Sequence, residues 1–218
     1  MDKFLDGLEG EARQAVLRRA VRRRYRKGET VFHEGDPGDT LHMLVKGFVA
    51  VRVTTMQGET GTLSVLGAGD FFGEQALLAP DSYRTASVIA LDQVETMTLG
   101  IRHFDELRHI DPRVDRLLVS LLGEQVRRLS VLLLEALYSP ADERVTRRLH
   151  ELTELFGGPE ASGPVTVPLT QEDLSTMAGT TRPTANQVLQ ALASAGIVEL
   201  ARGRIVVTDP PGLAKRAP

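Results

Sequence analysis

Three textures of apolar and polar positions follow one another along the chain. Between residues 4 and 20, Leu5, Leu8, Ala12, Ala15, Val16 and Ala20 fall near helical spacing, which predicts one or two short helices. From Thr30 to Leu99 short apolar runs alternate with turn residues such as Gly35, Gly47, Gly58, Gly67 and Gly73. There "FVAVRV" at 48–53 alternates with period two, and "MQGETG" at 56–61 reads as a turn between two strands. Many short strands at regular spacing predict a small antiparallel sandwich or barrel.

After Pro112 the period lengthens. Leu118, Leu122, Val126, Leu129, Leu133 and Ala136 recur at intervals of three and four, with Leu121 and Leu132 widening the stripe. Asp115, Glu124, Arg127 and Arg128 keep part of the surface wet. The pattern predicts a helix of residues 112–138 whose seam packs against a twin or lies across its own domain.

Residues 139–218 switch again. "SPADERVTRRLHELTELFG" predicts a helix capped near Ser139 and stopped at Gly157-Gly158, "GPEASGP" a polar loop and "VTVP" a short strand. "LTQEDLSTMAG" opens with Thr170 as N-cap and Asp173 three residues later, a capping-box arrangement. After the turn "AGTT" comes a second helix, "RPTANQVLQALASAG", with Pro183 in its first turn. "IVELARGRIVV" reads as two strands around an Arg-Gly-Arg turn. Helix, tight turn, helix and hairpin predict a winged helix-turn-helix, hence a DNA-reading unit, although such helix pairs also occur as plain packing units.

Composition narrows the picture by exclusion. The net charge of −3 gives no global attraction to polyanions, so any nucleic-acid contact must come from a local basic face. The run Arg18, Arg19, Arg22, Arg23, Arg24, Arg26 and Lys27 is one such face, or else a solvated helix end before Gly28. With no cysteine there are no disulfides, thiolate metal sites or iron–sulfur clusters. His33, His42, His103, His109 and His150 are scattered and read as surface or packing residues rather than haem ligands. No catalytic triad order, metal cluster or triphosphate loop is visible, so no enzyme is expected. The start lacks the apolar core of a signal peptide and no run reaches membrane-spanning length, which predicts a cytoplasmic protein.

The stretch "FFGEQALLAPDSYRTAS" at 71–87 carries the candidate chemistry. Glu74 is an acceptor-only group and Arg84 a rigid five-donor fork. They pair with each other as a structural ion pair, or they hold a ligand that offers an anion to Arg84 and hydroxyls to Glu74. Gly73 would let such a ligand approach the backbone, a short helix over 75–78 would offer amides to an anion, and Thr85 would add a hydroxyl. A phosphate beside a sugar hydroxyl meets each demand.

The span "GDFFGEQALLAPDSYRTAS" resembles the phosphate-binding cassette of cyclic-nucleotide-binding domains. With "KGFVAV" and "LTQEDLSTMAGTTRPTANQVL", the whole chain is similar to the cyclic AMP receptor protein and fumarate–nitrate regulator (CRP/FNR) family of bacterial transcription factors. The resemblance implies an α+β architecture: an antiparallel β-roll sensor over 1–111, a dimerisation helix over 112–138 and a winged helix-turn-helix over 139–218. It implies that Glu74 binds the ribose 2′-hydroxyl, that Arg84 and Thr85 bind the cyclic phosphate, and that Gly73 and Gln75 add backbone contacts. Of the two dimer-helix positions that face the base, Ser130 keeps a hydroxyl whereas Leu129 has none. Thr85 also suits a syn guanine, so cyclic GMP stands beside cyclic AMP as the implied ligand.

Partners implied by the resemblance are a second copy of the chain, double-stranded DNA with a near-palindromic operator, and RNA polymerase. The base-reading positions fall on Arg182, Pro183 and Gln187. Arg182 keeps a fork for guanine, Pro183 has no acceptor for cytosine, and Gln187 suits adenine. Thr170, Thr181 and Thr184 are expected at phosphates, with Arg202 and Arg204 of the wing adding affinity without sequence information. Two other readings stand beside this one: a regulator of the same fold that senses another ligand or none, and a regulatory module of an enzyme.

Overall fold

A computed structural model describes residues 10–54, 58, 60–77, 82–158 and 161–217. The chain separates into two compact units, one running to Arg128 and the other from Leu129, the second also taking in Gly61–Leu63.

The first unit opens with helix α1 (Gly10–Arg19). Of the basic run, Arg18 and Arg19 lie in the last turn of α1, whereas Arg22, Arg23 and Arg24 do not belong to a helix end. Val21–Tyr25 form strand β1, paired antiparallel with β8 (Val94–Gly100), and Arg22 and Arg24, on one face of β1, both bind Glu95 at 2.6 and 3.1 Å. Strand pairing here overrides the helical placement expected for these cations, because alternate arginines share one acceptor on the neighbouring strand. The earlier part of the 4–20 prediction lies outside the described residues, as do Met56, Gln57 and Glu59 of "MQGETG".

Two four-stranded antiparallel sheets make the predicted β-structure. One has the order β1-β8-β3-β6, with β3 at Thr40–Lys46 and β6 at Phe71–Phe72. The other has the order β2-β7-β4-β5, with β2 at Thr30–Phe32, β7 at Ser87–Ala90, β4 at Val49–Thr54 and β5 at Thr60–Leu66. Strand β3 explains why its sequence does not alternate. Leu41, His42, Met43 and Leu44 are all buried. Leu41 and Met43 pack with Val16, Phe104, Leu107 and Val114, and Leu44 packs with Val49, Phe72, Val88 and Val94. A strand covered on both faces has no polar side to show.

Helix α2 (Ile101–Ile110) was not expected from the sequence, although its buried Phe104 and Leu107 carry the spacing that marks it. Helix α3 (Arg113–Tyr138) follows the predicted seam.

In the second unit, α4 (Ala141–Gly157) starts from Pro140 without a side-chain cap, where Ser139 had been expected to serve. Helices α5 (Gln171–Met177) and α6 (Arg182–Ser194) and the sheet β10-β11-β9 complete the winged helix-turn-helix, with β9 at Val165–Val167, β10 at Val198–Ala201 and β11 at Arg204–Val207. A short closing helix, α7 (Pro210–Ala214), was not foreseen; Asp209 caps it by accepting from Gly212 N. Arg144 ties the unit together, donating to the carbonyls of Ser139, Ala178 and Gly179. Glu135, near the end of α3, is buried between Arg147 (2.6 Å) and Arg148 (2.5 Å) of α4.

Candidate functional site

Arg84 stands at the centre of the candidate cassette and is only 6% exposed. Its Nη1 donates to the Thr40 carbonyl (2.9 Å) and the Gly73 carbonyl (3.2 Å), and its Nη2 donates to Thr40 Oγ1 (2.7 Å). The guanidinium carbon lies 4.2 Å from the centre of the Phe32 ring, within cation–π range. Burial lowers its pKa from the ordinary value, with Asp39, Asp36 and Glu74 pulling the other way. Its Nε is buried and has no partner among the described residues.

The structure separates the two readings of Glu74 and Arg84. The carboxylate in ion-pair range of Arg84 is that of Asp39, at 3.7 Å, and not Glu74. Glu74 opens a single 3₁₀ turn, Glu74–Leu77. Its pKa is raised by burial, while its own backbone amide and the charge of Arg84 oppose that shift. A carboxylate brought out of water without a direct cation is a group with acceptor capacity to offer. Thr85 and Gln75 are exposed beside it. The residues after Leu77 in the predicted 75–78 helix lie outside the described residues.

Gly73 lies against Arg84. It holds φ +80°, and a Cβ there would lie 2.6 Å from Arg84 Nη1 and 3.0 Å from the Thr40 carbonyl. The space its missing side chain leaves is filled by Arg84 itself, so the glycine seats the guanidinium.

Thr40 and Asp39 were missed by the sequence reading. They sit on the far side of the β-structure in sequence, and nothing in their local spacing marks them as partners of Arg84. His42 belongs to the same cluster: its ring stacks on Phe72 (centroids 4.9 Å apart) and its Nε2 lies 3.3 Å from Thr40 Oγ1. Burial, and then the charge of Arg84, lower its pKa to about 3, so it is a neutral packing residue at ordinary pH. Among the described residues no group of histidine or acidic side chains could hold a metal ion. Nor is any helix among them long and apolar enough to cross a membrane.

Ser130 and Leu129 are exposed positions of α3 in the second unit. On the DNA-reading side, Thr170 caps α5 through a full capping box with Asp173, and Thr181 caps α6 by accepting from Thr184 N. The hydroxyls of Thr170, Thr181 and Thr184 are therefore engaged locally. Arg182, Pro183 and Gln187 are exposed along the start of α6, and Arg202 and Arg204 flank the exposed turn of the wing. Arg182 Nε lies 3.5 Å from Glu172 of α5, a neighbour the sequence reading did not name.

Two family models match the chain: a cyclic nucleotide-binding domain over residues 22–111 and a Crp-like helix-turn-helix domain over 143–216. A cyclic AMP receptor protein of Thermus thermophilus is 32% identical over 203 residues, covering 93% of this chain and 91% of that protein. A CRP-like cAMP-activated global transcriptional regulator of Mycobacterium tuberculosis is 28% identical over 98% of this chain and 96% of its own. Among solved structures, the Thermus thermophilus catabolite activator protein covers 99% of this chain and 98% of its own at 30% identity with a TM-score of 0.55. The c-di-GMP-responsive regulator CLP of Xanthomonas campestris shares the fold, with a TM-score of 0.74 at 22% identity, covering 92% of this chain and 99% of its own. A β-structured nucleotide-binding domain, a long helix and a winged helix-turn-helix in this order, matched along nearly the whole length, place the chain in the CRP/FNR family of transcription regulators.

Proposed function

We propose that the chain is a homodimeric, sequence-specific DNA-binding regulator controlled by a cyclic nucleotide, cyclic AMP first and cyclic GMP second. The observation that carries the reading is Arg84: a buried cation whose Nε–H has no partner among the described residues, near a Glu74 whose charge burial disfavours and next to an exposed Thr85. A phosphate would take the open Nε–H and the Thr85 hydroxyl. A ribose hydroxyl would donate to Glu74, with Gly73 and Gln75 lending backbone groups. The relatives from Mycobacterium and Thermus, named for cyclic AMP, support this choice.

The dimer is proposed on the exposed seam of α3, where Val119, Val126, Leu129 and Leu133 are each more than half exposed. Apolar side chains at such spacing on a long helix suit a twin. Two recognition helices of a dimer reach successive major grooves about 34 Å apart, which calls for a near-palindromic operator. Ligand control then requires that the nucleotide contact the DNA-competent arrangement better than the other. RNA polymerase is the partner expected at promoters, and the cytoplasm the expected compartment.

One observation favours a second reading, a regulator that senses another ligand or none. Leu129, at a position the family uses for the base, is apolar, and both Nη groups of Arg84 already donate within the protein. Titration calorimetry of the full chain with cyclic AMP and cyclic GMP tests the proposal. Binding of either nucleotide, lost in Glu74→Gln, supports it; heat from neither overturns it.

A further inference from the structure

Arg182 is the first residue of α6, directly after the cap Thr181, and its side chain extends into solvent. The turn between α5 and α6 brings it against the first turn of α5. There Glu172 Oε2 lies 3.5 Å from Arg182 Nε, and both side chains are more than half exposed. The backbone beneath Glu172 is braced, because its carbonyl accepts from the hydroxyls of both Ser175 and Thr176.

Two features of this contact matter for reading DNA. The guanidinium is a planar fork whose paired edge can address guanine O6 and N7. The contact of Glu172 is with Nε, so the terminal Nη1–Nη2 pair is the part of the fork that a base would meet. A carboxylate there also disfavours approach by phosphate to Arg182, which would otherwise attract any backbone. Specificity is a difference of affinities, and a group that penalises the wrong contact raises it as effectively as one that improves the right contact.

We propose that Glu172 is a positioning residue for base recognition: it orients the Arg182 fork toward guanine and suppresses its use as an unspecific phosphate contact. The inference rests on the reading of Arg182 as the guanine-contacting residue. An exposed ion pair supports only a modest effect, about two- to fivefold in guanine preference.

The test uses the full chain with cyclic AMP present and a pool of random-sequence duplexes. Wild type, Glu172→Gln, Glu172→Asp, Arg182→Ala and the double variant Glu172→Gln/Arg182→Ala are each put through site selection. Affinity for the unselected pool and thermal unfolding are measured in parallel. The Gln variant is expected to lose about two- to fivefold of the guanine enrichment while gaining affinity for the unselected pool, with unfolding unchanged. The Asp variant, which keeps the charge on a shorter arm, should fall between, and the double variant should match Arg182→Ala. Guanine enrichment in Glu172→Gln equal to wild type, with enrichment lost in Arg182→Ala, overturns this inference alone. Losses that add in the double variant show that Glu172 does not act through Arg182 and overturn it as well. Enrichment unaffected by Arg182→Ala, or no guanine selected by wild type, removes the underlying reading of Arg182 and this inference with it.

Discussion

The guanidinium of Arg84 occupies the volume that a side chain on Gly73 would need, 2.6 Å from the point where a Cβ would stand. The two residues are thus one device, a left-handed glycine that lets its neighbour's cation lie against the backbone. Gly73→Ala must displace that cation and also adopt φ +80° with a side chain. We expect a loss of about 1–3 kcal/mol in unfolding free energy together with weaker nucleotide binding. Denaturant titration and calorimetry measure the two effects, and a variant of full stability would show that Arg84 can move aside without cost.

Arg84→Ala, for the same reason, is not a clean test of ligand binding. Its removal leaves the Thr40 and Gly73 carbonyls without their donor, so stability falls whether or not a phosphate binds there. Glu74→Gln is the sharper variant. Burial disfavours the charge on Glu74, so a neutral isostere should leave the melting temperature unchanged or slightly higher at pH 7. If the carboxylate accepts from a ribose hydroxyl, cyclic-nucleotide affinity should fall about tenfold or more. Unchanged affinity would remove Glu74 from the site.

The buried His42 sets a pH dependence. In the folded protein it takes a proton only near pH 3, whereas an unfolded chain does so near 6.5. Between these values the unfolded state binds more protons. Stability is therefore complete above about pH 6.5 and is lost as the pH falls toward 3, by about 2 kcal/mol at pH 5. Glu74, with its raised pKa, works in the opposite sense from its ordinary value of 4.5 upward, gaining stability as the pH falls. The difference between wild type and His42→Phe, followed by thermal unfolding from pH 7.5 to 5, isolates the histidine. Parallel curves would refute the assignment.

Dimerisation is best tested at Val126 and Leu133. Leu122 belongs to the same seam, but it also packs against the core of the first unit, so changing it confounds association with folding. Val126→Glu with Leu133→Glu places charges only where the side chains are now 63% and 59% exposed. Burying those carboxylates in an apolar interface is costly. Sedimentation should show monomers with unaltered helical content, and operator binding should collapse. A monomeric wild type would end the proposal.

How much of this was legible in the chain depends on how local the cause is. The capping box of Thr170 and Asp173, the cap at Thr181 and the seam of α3 arise within a few residues, and their spacing announces them. Strand β1 was misread because its arginines answer to Glu95, more than seventy residues away. The partners of Arg84 escaped for the same reason: Thr40, which begins β3, lies 44 residues away, and neither it nor Asp39 before it carries a motif of its own. Gly73 was read as a place where a ligand could approach the backbone; that Arg84 lies there was legible only in three dimensions.

The buried Glu135, held by Arg147 and Arg148 at once, has a mechanical meaning. Residues 129–138 cannot roll or slide along α4 without parting the buried Glu135 carboxylate from both of its cations. That half of the long helix and the DNA-reading helices are therefore welded into one lever arm. Glu135→Ala would remove that tie and leave the end of the long helix freer to shift against α4.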